Sequence, residues 1–284
     1  MKILVLGGAG MAGHTISLYF KEASHDVTAF SRSKVNYCNN INGDVTSFEN
    51  LKKIIIESQY DAVINAIGVL NQDAEDNKSN AVLLNSYLPH FLSDTTKNMG
   101  TRIIHLSTDC VFSGKAGGYS ERSFRDGETF YDRSKALGEI ENSKDLTFRS
   151  SIVGPDTKEK GIGLFNWFMK QEGTINGFTK AIWTGVTTLT LAKAMEQALK
   201  ESLTGLYNLV NNQTITKYDL LKLFNKYMKD DKIEILPSDK VLLDKSLVNN
   251  RSDFSFEVPS YEAMIIEMSE WIYDHKELYP HYFK

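Results

Sequence analysis

Cysteine is nearly missing from this chain of 284 residues: only Cys38 and Cys110 occur, far apart and in no CxxC spacing. That excludes a disulfide framework and any zinc site of the usual spacing; no metal is expected, and the pattern fits a reducing, cytoplasmic compartment. Proline is scarce at 5 residues against 19 glycines, which argues against collagen-like and proline-rich disordered chains. There is no excess of positive charge either. Lys and Arg number 32 against 36 Asp and Glu, for a net charge of −4. Basic residues form no concentrated run, so no nucleic-acid partner is expected. Long apolar runs are absent too: none reaches the ~18 residues of a membrane span. The apolar residues 3–6 stop at Gly7-Gly8, short of the roughly 7–15 residues of a signal-peptide core.

What is present is an ordinary globular composition, 42% hydrophobic and 24% charged, long enough to bury a sizeable core. Residues 3–6 read as a strand, the glycines after them as a turn, and Thr15 onward as a helix. Apolar strands recur at 27–30, 62–67 and 102–107, with helical segments at 48–58 and 85–99 between them. Strands that are apolar throughout and separated by helices predict a parallel sheet covered on both faces, a Rossmann-like, doubly wound α/β fold. Beyond residue 150 the alternation becomes irregular, with helices expected at 190–201, 217–229 and 260–275 and a strand at 206–210. Residues 1–150 are therefore read as a dinucleotide-binding domain and 151–284 as a smaller α/β substrate lobe interleaved with it.

Gly7, Gly10 and Gly13 stand three apart between a strand and a helix, flanked by Met11 and Ala12. Glycine is needed where the turn is tight, where backbone approaches a pyrophosphate and where helix packs on strand; the helix N-terminus offers free N–H groups and a positive dipole. A dinucleotide is the ligand expected. The second strand runs into Ser31 and Arg32, with no acidic residue from Val27 to Asn40. An acidic residue there would hold the ribose 2′-hydroxyl of NAD(H), whereas arginine accommodates a 2′-phosphate, so NADP(H) is favoured over NAD(H). Asp44 and Val45 are candidates for the adenine side, and Asn65, Ala66, Ile67 and Gly68 for a strand end that lies against the cofactor.

Tyr131 and Lys135 form a YxxxK pair, one helical turn apart on one face. A phenol of pKa about 10 becomes a useful acid–base group when a nearby cation lowers that value. Upstream, Thr108 lies at the C-terminal edge of the fourth strand, where α/β sheets place ligands. The Gly7–Gly13 turn, Ser107-Thr108-Asp109-x-Val111-Phe112-x-Gly114, Gly118-Tyr119-x-Glu121 and Tyr131-x-x-Ser134-Lys135-x-x-Gly138-Glu139 stand in this order. With these segments the chain resembles the extended short-chain dehydrogenase/reductases, and within them the dTDP-4-dehydrorhamnose reductase group, over roughly residues 1–155. The resemblance implies reduction of the 4-keto group of a nucleotide-activated 6-deoxy sugar, in nucleotide-sugar and surface polysaccharide biosynthesis. Tyr131 would protonate the carbonyl oxygen, Lys135 would lower the tyrosine pKa and hold the nicotinamide ribose, and Thr108 would stabilise the oxyanion.

Two positions after Thr108 stands Cys110. Similar sugar-nucleotide dehydratases carry a glutamate base there, so the resemblance disfavours dehydration. GDP-fucose synthase-like epimerase/reductases carry a cysteine that works with a downstream histidine. Here the histidines are His14, His25, His90, His105, His275 and His281, none between 150 and 200. A non-catalytic NADP-binding regulatory subunit is the other alternative, and the retained Thr108, Tyr131 and Lys135 speak against it. His105, in an apolar strand, reads as a core histidine rather than a base. For the substrate, Thr108, Asp109, Cys110 and Val111 are candidates, joined by Asn166, Trp183 and, near the C-terminus, Arg251 as a pyrophosphate clamp. Phe165, Trp167, Phe178 and Thr184 complete a glycine-punctuated region read as a lid. Related extended reductases pair through helices of the dinucleotide half, so a homodimer is compatible with the resemblance.

Overall fold

The strand–helix alternation folds into a parallel sheet. In the computed structural model, which describes residues 1–283, the chain begins β1 (Lys2–Leu6), α1 (Met11–Glu22), β2 (Asp26–Ser31), β3 (Asn39–Asn42), α2 (Phe48–Ser58) and β4 (Ala62–Asn65). A helical stretch follows, made of α3 (Asn71–Asp76), α4 (Lys78–Ala81), a π-helical turn (Val82–Tyr87) and α5 (Leu88–Thr95); then come β5 (Arg102–Ser107), α6 (Phe130–Leu137) and β6 (Leu146–Arg149). The second half holds β7 (Ser151–Val153), α7 (Gly163–Met169), β8 (Thr174–Phe178), β9 (Ala181–Trp183), β10 (Gly185–Thr187), α8 (Thr188–Glu201) and β11 (Gly205–Asn208). It ends with β12 (Ile215–Thr216), α9 (Lys217–Met228), β13 (Glu234–Ser238), β14 (Leu243–Asp244) and α10 (Tyr261–Asp274).

The main sheet has seven strands in the order β11-β6-β5-β4-β1-β2-β3. All its neighbours pair in parallel. The chain winds outward from β1 to β3, returns to β4 and winds the other way, so the switch point lies between β1 and β4. A crevice opens outside the carboxyl ends of the strands at such a point. Along β1, Ile3 and Val5 join the core under α1, α8 and α10, while Leu4 and Leu6 join the core under α2 and α5. That alternation is the two-residue period of a strand buried on both faces.

Three details differ from the sequence reading. Strand β3 reads Asn-Asn-Ile-Asn and forms the sheet edge; its polarity hides it from an apolar-run search and suits an edge strand. The helix expected at 85–99 begins at Asn71 and ends at Thr95, interrupted by the π-helical turn. The strand expected at 206–210 is β11, and it completes the main sheet beside β6 rather than building the lobe. The smaller sheets β10-β7, β12-β9-β14 and β13-β8 make up the rest. Among the described residues no helix is long and apolar enough to cross a membrane.

The carboxyl ends of β5, β6 and β11 meet at a buried ion pair. Arg149 is fully buried. Its Nε and Nη2 donate to the two oxygens of Glu139 at 2.7 and 2.6 Å. Its Nη1 donates to Asn208 Oδ1 at 3.2 Å, and its guanidinium lies 5.0 Å from the centre of the Phe112 ring. Glu139 also accepts from Ser107 Oγ at 2.6 Å and from Arg125. Burial alone would raise the Glu139 carboxyl, but Arg149, Arg125 and Ser107 outweigh it and hold it below its ordinary value. Removing one member of such a pair strands a buried charge, at a cost of about 3–5 kcal/mol. Arg149→Met is therefore expected to lower the unfolding free energy by about 3–5 kcal/mol, and adding Glu139→Leu to recover much of it. Urea denaturation measures both; equal losses in the single and double variants would contradict the pairing argument.

Candidate active site

The turn after β1 is built by exclusion of side chains. Gly7 has φ +81°, and a Cβ on Gly13 would lie 2.1 Å from the Gly7 carbonyl oxygen, so α1 packs directly on the turn. Gly10 is the N-cap of α1 and offers no side chain to it; the N–H groups of Met11, Ala12 and Gly13 therefore face the crevice side without a capping side chain. Ala66 and Ile67 press against Gly7 from the end of β4. A cradle that a Cβ would fill, at the N-terminus of a 12-residue helix, fits a dinucleotide pyrophosphate.

At the end of β2, Ser31 is buried and donates to the Ser33 carbonyl at 2.6 Å, while Arg32 is exposed. Asp44 accepts from the backbone N–H and hydroxyl of Thr46 at 2.9 and 2.8 Å, a local turn that holds its carboxyl below the ordinary range, with Arg32 adding to the effect. Val45 is buried beside Phe30 in the core. Asn65 is buried, and its Oδ1 accepts from Ile67 N–H at 3.2 Å. Asn85, carried on the π-helical turn, bonds to both backbone groups of Val69 and donates to Ser134 Oγ at 3.0 Å. It links the segment that follows Gly68 to α6.

Thr108 sits just past β5 and caps a short helical turn, accepting from Cys110 N–H and donating to Asp109 Oδ1, both at 3.1 Å. Helix α6 is started by a capping box between Thr129 and Asp132, which fixes Tyr131 in its first turn and Lys135 one turn on. Tyr131 is buried at the same place. Burial raises its phenol above the ordinary value, Cys110 and Asp109 add to this, and hydrogen bonding with Thr108 pulls the other way. Lys135 Nζ donates to the Leu106 carbonyl at 2.6 Å and lies 3.4 Å from His105 Nε2. Burial lowers the lysine to about 8, against the charge of Glu139. The tyrosine is thus held protonated, the state an acid needs.

The other substrate candidates divide. Asp109 is buried and its carboxyl is raised by burial, with Lys245 and Lys217 opposing. Cys110 packs with Ala74, Ala81 and Tyr131, and burial, with Asp109, pushes its thiol up to about 12. Val111 turns instead into a core of Phe112, Tyr119, Val210 and Leu247. Trp183 is core, 5.7 Å from the ring of Tyr261, and Thr184 accepts from Leu247 N–H at 2.8 Å. Phe165 is fully buried against Phe224 and Tyr282, whereas Trp167 remains partly exposed. Asn166 donates to the carbonyls of Gly154 and Ile162, lies 3.8 Å from Met11 Sδ and accepts from Tyr282. Arg251 is not brought to the site: its guanidinium is bound by Asp253 and by the carbonyls of Thr204 and Leu206, at the opposite end of β11 from Asn208.

The sequence reading missed three residues that complete the site. Lys245 follows β14, and its Nζ stands 3.9 Å from Asp132 Oδ2, where its charge acts on Asp109 and Cys110. Gly114 makes this possible, since a Cβ there would meet Lys245 Cγ at 2.8 Å. Tyr37 donates to the Gly8 carbonyl at 2.5 Å. Tyr279, fully buried, reaches His14 Nε2 at 2.8 Å, while His14 Nδ1 bonds the Gly10 carbonyl. All three are contacts across long stretches of chain with no local signature. Among the described residues no group of three or more His, Cys, Asp or Glu is placed to hold a metal ion.

The family model described as RmlD substrate binding domain matches residues 1–245. The spore coat polysaccharide biosynthesis protein SpsK of Bacillus subtilis is 28% identical over 140 residues, 49% of this chain and 47% of that protein. A dTDP-4-dehydrorhamnose reductase of Burkholderia thailandensis is 31% identical over 159 residues, covering 54% and 50%. The chain thus spans about half the length of these curated relatives. The solved dTDP-4-dehydrorhamnose reductase of Bacillus anthracis, in complex with NADP, superposes with a TM-score of 0.78 over 94% of this chain and 98% of that one, at 20% identity, a likeness of fold.

The state of Cys110 is open to test. A thiol whose pKa is pushed up to about 12 carries almost no thiolate near neutrality and reacts slowly. Iodoacetamide at pH 8 is expected to leave Cys110 unlabelled in the folded protein and to label it in urea, read by mass spectrometry. Rapid labelling of the folded chain would contradict this.

Proposed function

The chain belongs to the RmlD substrate binding domain family, and on that premise we propose that it is an NADPH-dependent reductase of the 4-keto group of a nucleotide-activated 6-deoxy sugar. The observation that carries this reading is the meeting of Thr108, Tyr131 and Lys135 at the carboxyl edge of β5, two strands from the glycine turn. Gly7, Gly10, Met11, Ala12 and Gly13 hold the pyrophosphate. Ser31 and Arg32 take the 2′-phosphate, with Asp44 and Val45 on the adenine side and residues 65–68 along the rest of the cofactor. The naming of NADP in the Bacillus anthracis complex supports the same cofactor. Residues 1–150 serve as the dinucleotide half and 151–284 as the substrate lobe interleaved with it.

Bound NADPH supplies the hydride to the carbonyl carbon. Tyr131, kept protonated by burial, gives its proton to the carbonyl oxygen, so that ketone, hydride and proton together make the alcohol. The Thr108 hydroxyl donates to the same oxygen, which places two donors where negative charge develops. Asp109 and Cys110 border the sugar. The lobe's cation there is Lys245, placed beside Asp132, and it replaces Arg251 in the role of phosphate partner. The surroundings of Cys110 disfavour an epimerising role: burial and the charge of Asp109 raise its thiol and outweigh Lys245 and the Thr108 hydrogen bond. The names of SpsK and the reductase relatives agree with a place in polysaccharide biosynthesis.

Tyr131→Phe is expected to lower kcat with a 4-keto-6-deoxy nucleotide sugar by about 10²–10⁴-fold while leaving NADPH binding intact, as followed by absorbance and cofactor fluorescence. Full activity in this variant would overturn the assignment. Arg32→Ala is expected to raise the KM for NADPH by about tenfold or more, the effect of losing one charge-assisted phosphate contact, and to leave NADH little changed. An equal change for both cofactors would remove Arg32 from the 2′-phosphate site.

A further inference from the structure

The buried surroundings of Lys135 contain a directed chain of hydrogen bonds. Asn65 on β4 and His105 on β5 are register partners in the sheet, and both are fully buried. Asn65 Oδ1 lies 3.2 Å from Ile67 N–H, an obligatory donor, so the oxygen and not the amide nitrogen must face it. Asn65 Nδ2 is thereby turned to His105 Nδ1 at 3.1 Å. An amide nitrogen only donates, so Nδ1 must accept and the imidazole proton must sit on Nε2. Nε2 faces Lys135 Nζ at 3.4 Å, and Nζ in turn donates to the Leu106 carbonyl at 2.6 Å. An ammonium has three donors and no acceptor, whereas an amine can accept one hydrogen bond while donating another.

We propose that His105, with its tautomer imposed by Asn65, is a positioning residue for the reaction: its Nε2–H donates to the amine form of Lys135, holds that form at the edge of β5 and so makes the ammonium easier to deprotonate. The role of Lys135 in turnover rests on the reductase reading; the tautomer and the lysine's protonation do not. Protonating His105 is opposed first by its burial, and the Asn65 amide nitrogen facing Nδ1 leaves no acceptor for a second ring proton, so the imidazole stays neutral. Glu139 is the carboxylate whose charge acts on Lys135, and it is already engaged by Arg149 and Arg125. The lysine's own lowering, to about 8 by burial, runs in the same direction as the donor from His105.

Asn65→Asp reverses the chain without changing its shape. A carboxylate accepts from both Ile67 N–H and His105 Nδ1, which moves the imidazole proton to Nδ1 and turns the Nε2 lone pair toward Lys135. The ammonium is then favoured. In the ligand-free wild-type protein, nitrogen NMR of labelled histidine is expected to show His105 as the neutral Nε2–H tautomer. Lysine NMR is expected to show Lys135 titrating near 8, and Asn65→Asp is expected to move that midpoint up by about one pH unit, a tenfold change in the amine-to-ammonium ratio. A His105 found as the Nδ1–H tautomer or as imidazolium would overturn the proposal, and so would a Lys135 midpoint unmoved in a folded Asn65→Asp variant. Should that variant not fold, the wild-type tautomer decides by itself. If the NMR results hold but no keto sugar is reduced, the reductase reading fails and the His105 assignment stands.

Discussion

The pairing of Glu139 with Arg149 is the constraint on which the site depends. It is an arginine with no exposure, bound at both ends of its guanidinium, at the place where β5, β6 and β11 end. Glu139 closes the turn that leaves α6, so the pair fixes the helix that carries Tyr131 and Lys135 against the strand that carries Ser107 and Thr108. The capping box, the Lys135 bond to the Leu106 carbonyl and the contacts of Asn85 and Ser86 with Ser134 add to this hold on the helix. A buried pair is an expensive device for stability alone. Here it bonds to three strands at once and gives the carboxyl edge of a parallel sheet a single arrangement.

The crevice at the sheet's switch point is then closed from the other end of the chain. Tyr279 bonds His14 in the first turn of α1, and Trp271 of α10 donates to the Tyr279 hydroxyl at 3.3 Å. Tyr282 accepts from Asp156 N–H at 2.9 Å and reaches Asn166, which lies against Met11. These residues fall after position 245, where the family match ends, yet they brace the helix whose N-terminus forms the phosphate cradle. The lobe reaches the reacting groups by a separate route, through β14 docking on Gly114 and delivering Lys245.

Much of the scaffold was legible because its signals are local. The apolar strands β1, β2, β4 and β5, the helix Phe48–Ser58 and the glycine turn all lie within a few residues of where periodicity and turn chemistry put them. The proximity of Thr108, Tyr131 and Lys135 was legible because motif spacing survives in sequence. What escaped depends on partners far along the chain. An edge strand of three asparagines has no apolar signal. Arg251 looks like a phosphate ligand until the carbonyls of Thr204 and Leu206 are seen to bind it, and Trp183 looks like a ligand shelf until Tyr261 covers it. His105 was correctly read as a core residue, but only the fold reveals that its two ring nitrogens join Asn65 to Lys135.

The central claim is that this site moves one hydride and one proton to a single carbonyl and leaves the neighbouring carbons untouched. The most direct measurement follows deuterium from two sources, the nicotinamide C4 of labelled NADPH and heavy water, into the sugar of a 4-keto-6-deoxy nucleotide sugar incubated with the protein. The account predicts one deuterium at carbon 4 from the cofactor and none from solvent at carbons 3 and 5. Absence of cofactor label at carbon 4, or solvent label at carbons 3 or 5, would contradict it.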